Sequence, residues 1–156
     1  GGASVGDEDH LINALSDLGN IFFWKAAIKP GKPIAVGKIN NCYVICLPGN
    51  PVSLQLLFVM LINPLIKKLS GGNFNLPKSS KIIANFNMQK KTRRMEWLRI
   101  IKKTLNNKNI AIKYPKQGSG MMSSIAYSDG IIEIDADISA IKKGDIFDYY
   151  DFENLF

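Results

Sequence analysis

The sequence predicts an α/β segment over residues 1–72 followed by an all-β segment, a small barrel or sandwich, over residues 73–156. Three observations carry this. Helical periodicity appears twice before residue 70, on either side of strand-like runs. The cluster Ser70-Gly71-Gly72-Asn73 then breaks the pattern, with Leu76-Pro77 close behind. From Lys81 onward, short strand-like runs alternate with turn clusters, as in small barrels and sandwiches.

The elements follow in order. Leu11, Ile12, Leu15 and Leu18 recur at helical spacing, acids crowd the first turn and Gly19 can stop the helix, so Asp7 to Leu18 reads as a helix. Ile21 to Lys29 is rich in aromatic and β-branched residues and ends at Pro30-Gly31, the favoured central pair of a type II turn. Ile34 to Ile39 and Cys42 to Leu47 flank Asn40-Asn41, whose asparagines tolerate positive φ, which predicts a hairpin. Asn50 suits an N-cap and Pro51 the first helical position, so a buried helix runs to about Leu69. The later strands are expected at Lys81 to Phe86, Met95 to Ile101, Ile110 to Tyr114, Gly130 to Ile134 and Asp145 to Phe152, with turns such as Asn106-Asn107-Lys108-Asn109 between them.

Composition narrows the class. At 46% hydrophobic and 21% charged, the 156 residues can fold around a core, which excludes disorder and collagen-like repeats. A net charge of +7 favours an anionic partner without choosing among nucleotide, oxyanion and nucleic acid. Lys78 to Lys116 holds twelve Lys and Arg against one acid, Glu96, while Gln117 to Phe156 holds two lysines against eight acids, so the two stretches are expected to face one another. Cys42 and Cys46, in one strand, would hold their sulfurs about 13 Å apart at 3.3 Å per residue, too far to bridge. Buried strand thiols in a reducing cytoplasm fit. With His10 the one histidine, no Cys/His zinc constellation exists. The apolar run Val52 to Ile66, interrupted by Gln55, Asn63 and Pro64, falls short of a bilayer span, and no signal peptide is visible.

Several segments carry candidate chemistry. Asp7, Glu8 and Asp9 end a glycine-rich stretch and offer carboxylates to a hard divalent cation, although acids at a helix start are also explained by about 0.3–1 kcal/mol of dipole stabilisation. Lys25 and Lys29, four apart in a strand, would project from one face beside Lys32, either as a solvated face or as a cradle for phosphate or oxyanion. Leu47-Pro48-Gly49-Asn50-Pro51-Val52-Ser53 joins a strand to a helix start, where free backbone N–H groups favour an anion, less the donor that Pro51 removes. Gln117-Gly118-Ser119-Gly120 with Ser123-Ser124 can wrap a polar ligand or be a plain barrel loop. Arg93, Arg94 and Arg99, with Trp97 on the alternating face of Arg99, would suit a single-stranded nucleic-acid-binding module, the competing reading, or a charged edge that deters aggregation.

Taken in order, three segments resemble the successive signatures of the molybdopterin molybdotransferases of molybdenum cofactor biosynthesis, a family that includes the gephyrin E domain. They are Gly1-Gly2-Ala3-Ser4-Val5-Gly6-Asp7-Glu8-Asp9, Trp24-Lys25-Ala26-Ala27-Ile28-Lys29-Pro30-Gly31-Lys32-Pro33, and Leu47-Pro48-Gly49-Asn50-Pro51-Val52-Ser53. Arg94 and Arg99 around Trp97, and Gln117-Gly118-Ser119-Gly120, resemble the family's last domain. The resemblance implies the C-terminal part of a molybdopterin-binding-type α/β sheet domain followed by a small β-barrel domain. It implies an enzyme that inserts molybdate into adenylylated molybdopterin with release of AMP, assisted by Mg²⁺, acting as a homodimer, with no membrane or nucleic-acid partner. Carried over by position, Asp9 matches a metal-associated or catalytic aspartate, Lys25 and Lys29 a basic pair, and Pro48 and Pro51 the active-site prolines. Lys32, Gly49, Asn50 and Ser53 fall in the same motifs as substrate-binding positions, and Arg99 and Ser119 match residues that the barrel contributes to the cleft. His10 stands where an aromatic is common, and Thr92-Arg93 replaces a frequent glycine-containing pair. Because the family's earlier domains are absent from these residues, the chain is expected to be part of a longer one, to be inactive in isolation, and to associate through its unpaired sheet edge.

Overall fold

The computed structural model describes residues 10–155. The stretch from Gly1 to Asp9, and with it the glycine-rich loop and the acids Asp7, Glu8 and Asp9, lies outside the described residues.

Helix α1 (His10–Leu18) is followed by strands β1 (Asn20–Trp24), β2 (Ile28–Lys29), β3 (Ala35–Ile39) and β4 (Cys42–Cys46). β1, β3 and β4 form an antiparallel sheet in that order. Ile12 and Leu15 of α1 pack on its Ala35 and Cys46. The approach is close: a Cβ on Gly37 would meet the Asn20 carbonyl at 2.5 Å and the Leu15 side chain at 2.9 Å, which only glycine avoids. The β3–β4 hairpin pairs Ile39 with Cys42 across Asn40-Asn41, with Asn40 at φ 51, as the asparagines predict. No disulfide joins the cysteines; Cys46 is buried but Cys42 is exposed, contrary to the buried pair expected.

The strand expected from Ile21 to Lys29 is in fact two. Lys25 adopts φ 71, which no β-strand allows, so Lys25 and Lys29 do not share one strand face. The hydrogen-bonded turn lies two residues beyond its expected centre, with the Ile34 N–H donating to the Gly31 carbonyl at 3.2 Å.

A continuous helix runs Pro51–Leu69 as α2 (Pro51–Leu57), a π segment (Phe58–Ile62) and α3 (Asn63–Leu69). Pro64 explains the π segment. It has no N–H and its ring crowds the carbonyl four residues back, at Met60; a wider turn, in which the Asn63 N–H reaches the Phe58 carbonyl, relieves this. At 19 residues the helix is longer than the interrupted apolar run suggests, and its length and composition would suffice to cross a membrane. Val52, Leu56, Leu57, Val59, Met60 and Ile62 nevertheless pack into the protein core, which makes it a core helix. The expected Asn50 side-chain cap is absent.

The all-β segment contains β5 (Ser80–Ala84), β6 (Met88–Gln89), β7 (Met95–Leu105), β8 (Lys108–Lys113), helix α4 (Ser123–Ala126), β9 (Gly130–Ile134), β10 (Ala140–Ile141), β11 (Ile146–Asp151) and a 3₁₀ turn (Phe152–Asn154). Neighbours run β7-β8-β5-β11-β9, and a β7–β9 pairing closes the five into a barrel. The β7–β8 hairpin extends beyond its expected ends to Leu105 and Lys108 across Asn106-Asn107, both at positive φ. The projecting part is exposed Lys103, Thr104 and Lys108, which carry no apolar alternation for a pattern to detect.

The barrel interior is filled by Ile82, Leu98, Ile100, Ile132, Ile134 and Phe147 among others. The outer face of β7 is also buried. Trp97, Ile131 and Phe152 pack with Ile28, Ile34 and the helix residues Val52 and Leu56, so one core spans both segments. Strand β2 adds to β7 in parallel, Ile28 opposite Met95 and Lys29 opposite Glu96. The basic and acidic stretches do face one another: Lys81 reaches Asp148 at 2.9 Å, Lys102 reaches Asp151 at 2.5 Å, and the Lys90 ammonium donates to the Asp135 carbonyl at 2.8 Å.

Candidate functional site

Where β2, the corner before α2 and the loop after β8 converge, a cavity of about 310 Å³ opens. One wall is Lys29, Pro30, Gly31, Lys32 and Pro33, the second is Pro48, Asn50 and Ser53, and the third is Gln117, Gly118 and Ser119, with Arg94 at the rim. The walls are stiff. Three prolines fix φ, Gly31 sits at φ 121 where a Cβ would press on the Leu57 side chain at 3.0 Å, and Ser53 is buried. Three cations, Lys29, Lys32 and Arg94, thus share one opening with amide and hydroxyl groups.

Lys29 is held in place. Opposite Glu96 in the ladder, its ammonium lies 2.9 Å from a carboxylate that is itself buried. Lys29 and Arg94 also border a second crevice of about 230 Å³, whose other cation, apart from Lys90, is Lys91. Lys90 is committed to the barrel, donating to the Asp135 and Ile138 carbonyls.

The helix start offers fewer donors than the sequence suggests. Pro51 has no N–H, and the Val52 N–H already donates to the Ser119 carbonyl at 3.1 Å. The corner therefore acts mainly through its side chains and its rigidity.

Of the residues singled out from sequence, Lys29, Lys32, Pro48, Asn50, Ser53 and Ser119 line this one cavity. Pro51 and Gly49 belong to the corner but are exposed and do not line it. Lys25 also does not line it: its N–H closes on the Ile34 carbonyl at 3.0 Å and its ammonium lies 4.0 Å from the Trp24 ring centroid. Asp9 lies outside the described residues. Arg99 is 2% exposed and sits beneath the loop rather than on a wall, donating to Gly118 O, Ser124 Oγ and Trp97 O. Burial brings its guanidinium down to about 10, opposed by the nearby Glu96 charge. Arg94 and Gln117, which the sequence places in candidate motifs without giving either a role in the cleft, also line the cavity. The charge run around Arg94 and the loop chemistry around Gln117 were the available signals.

Trp97 is 2% exposed and donates its indole N–H to Glu133 at 2.9 Å. It offers no face on which a base could stack, which removes the platform of the nucleic-acid reading. Among the described residues no group of three His, Cys, Asp or Glu is placed to hold a metal ion. Glu96, the carboxylate bordering the cationic crevice, is engaged by Lys29.

Two family models match the chain. One, described as "Probable molybdopterin binding domain", covers residues 1–68, and the other, described as "MoeA C-terminal region (domain IV)", covers 81–152. The molybdopterin molybdenumtransferase of Haemophilus influenzae is 34% identical over 157 aligned residues, taking in 99% of this chain and 39% of the relative. The molybdenum cofactor synthesis protein cinnamon of Drosophila melanogaster is 30% identical over 155 residues, 94% of this chain and 25% of that one. Among solved structures, a molybdopterin biosynthesis MoeA protein from Pyrococcus horikosii aligns with a TM-score of 0.72 at 26% identity, covering 90% of this chain and 34% of that one. The chain therefore spans well under half the length of these relatives.

Proposed function

We propose, from the premise that this chain belongs to the molybdopterin molybdotransferase family, that its cleft receives molybdate and the phosphate end of adenylylated molybdopterin for molybdenum insertion with release of AMP. The observation that carries the reading is the convergence of Lys29, Lys32 and Arg94 on one stiff cavity with Asn50, Ser53 and Ser119. A molybdate dianion and a phosphodiester both need preorganised cations and donors. Such groups cost no reorganisation when charge develops on the phosphate oxygens as AMP departs. In this reading Lys29, its charge partly offset by Glu96, and Arg94 hold the anionic oxygens, Lys32 adds long-range attraction, and the Ser53 hydroxyl and Asn50 amide orient them. The prolines keep the walls from relaxing around a poorly fitting anion.

A homodimer, with the other subunit completing the cleft, and a cytoplasmic location belong to the same proposal. Magnesium belongs to it through Asp9 alone. The described lining of the cleft holds no carboxylate for a divalent cation, and none of the steps above runs through a metal.

Calorimetric titration of the chain with sodium molybdate tests the reading. Binding that weakens at least tenfold in Arg94→Ala and Lys29→Ala, with melting temperature held within a few degrees, is expected. Molybdate affinity equal in wild type and both variants would refute it.

A further inference from the structure

We propose that Gln117 is the positioning residue of this cleft: its carboxamide holds the Gly118–Ser119 turn against the start of α2 and so fixes the separation of two of the walls. The identity of the anion rests on the reading above; the positioning does not.

The last paired residues of the β7–β8 ladder are Ile100 and Lys113, after which the Tyr114 N–H still donates to the Arg99 carbonyl at 3.1 Å. Gln117 then takes over as a strand partner. Its Oε1 accepts the Arg99 N–H at 3.1 Å, and its Nε2 donates to the carbonyls of Arg99 at 2.8 Å and Tyr114 at 2.7 Å. The orientation is dictated, since the reversed amide would face an oxygen at two carbonyls. Both N–H groups are consumed, leaving none for a ligand, although the side chain borders the cavity. From below, the Arg99 guanidinium fastens the same loop through Gly118 O at 3.4 Å and buried Ser124 at 3.2 Å. From above, the Ser119 carbonyl takes the N–H of fully buried Val52 at 3.1 Å. A continuous path thus runs from β7 through Gln117 to the helix that carries Ser53. Loss of the carboxamide would release the loop while leaving every charge of the cleft in place.

Gln117→Glu is the test, because a carboxylate there would face two carbonyls with no proton to share. Amide exchange by NMR reads Val52 against Leu54, whose N–H stays within the helix start on the Asn50 carbonyl at 2.9 Å. Exchange at Val52 is expected to speed at least tenfold relative to Leu54, whereas a general loss of stability would speed both. Molybdate affinity, by calorimetry, is expected to fall about tenfold in Gln117→Met, which removes the carboxamide and leaves every charge of the cleft unchanged. Should Gln117→Glu fail to fold, Gln117→Met, uncharged and of similar size, carries the same exchange test. Unchanged Val52 protection relative to Leu54 overturns the proposal. If wild-type chain binds no molybdate, the assignment of the anion fails, and the exchange ratio still decides the role of Gln117.

Discussion

Lys29 and Glu96 are ladder partners, opposite one another in the parallel β2–β7 pair with ammonium and carboxylate 2.9 Å apart. Glu96 is the buried member and Lys29 the half-exposed one, so the pair both staples β2 to the barrel and sets the charge facing the cleft. Glu96→Gln keeps the shape and removes the negative charge. Molybdate binding is expected to tighten severalfold, because an attraction of about 1 kcal/mol at a partly solvated site is no longer offset. Calorimetry reads it, and weaker binding would mean that Glu96 acts by holding Lys29 in place rather than by its charge.

The Lys102–Asp151 pair predicts how stability varies with pH. Burial pushes the Asp151 carboxyl up, but the bond from Lys102, the Glu153 N–H and the Lys102 charge outweigh it and hold it below 3.8. The bond to Asp151 raises Lys102 above 10.5 against the cost of burial. A lowered acid contributes stability above its unfolded value that is lost as pH falls through its folded one. A raised base contributes stability below its unfolded value that is lost as pH rises through its folded one. Urea titrations are therefore expected to show a plateau falling away at both edges, below about pH 4 and above about pH 10. Asp151→Asn should lower the plateau by about 0.5–1 kcal/mol, discounted for the partial exposure of Lys102, and flatten the acid edge. Tyr149, raised mainly by burial, keeps an alkaline slope of its own. An unchanged acid edge in the variant would refute the assignment.

Arg93 stands at φ 79, exposed, with its N–H on the Ala136 carbonyl at 2.8 Å. A non-glycine residue there costs about 1–2 kcal/mol, against about 0.5–1 kcal/mol for the extra freedom glycine gives the unfolded chain. Arg93→Gly is expected to raise stability by up to about 1 kcal/mol, read as a higher denaturation midpoint. A lower midpoint would show that the Arg93 side chain contributes more than its backbone strain costs.

The positions that the sequence made legible are those whose local chemistry is self-contained. Asn40-Asn41 announces a hairpin, and Pro48 to Pro51 announces a strand-to-helix corner, each without reference to distant residues. Lys25 was misplaced because strand periodicity assumes an unbroken strand, and lysine gives no hint of a left-handed backbone. Arg99 illustrates a different limit. Alternation correctly puts it with Trp97 on the outer face of β7, but the outside of this barrel is the inside of the core shared with α2. No pattern within β7 distinguishes solvent from a helix docked more than forty residues earlier in the chain. Gln117 was legible as loop chemistry only, since its bonds answer the end of a ladder eighteen residues away.

That shared core makes a prediction about cooperativity. Leu56 and Val52 of α2, both fully buried, pack in one cluster with Trp97 and Ile131 of the barrel. If the segments before and after residue 72 were energetically separate, removing Leu56 would loosen the helix and leave the barrel's own transition where it was. A shared cluster instead transmits the loss. Leu56→Ala removes buried methyl groups and leaves a cavity, at a cost of about 2–5 kcal/mol, and that cost is charged to every element the cluster joins. The two tryptophans report separately: Trp24 is 42% exposed in the first segment and Trp97 is 2% exposed in the barrel. Denaturation followed by Trp97 fluorescence in a Trp24→Phe background should shift to lower urea in Leu56→Ala, by as much as the far-ultraviolet signal does. Coincident probes are the mark of one cooperative unit. A Trp97 transition that stays at its original midpoint while the helical signal melts early would show that the interface between α2 and β7 contributes little, and that the barrel stands alone.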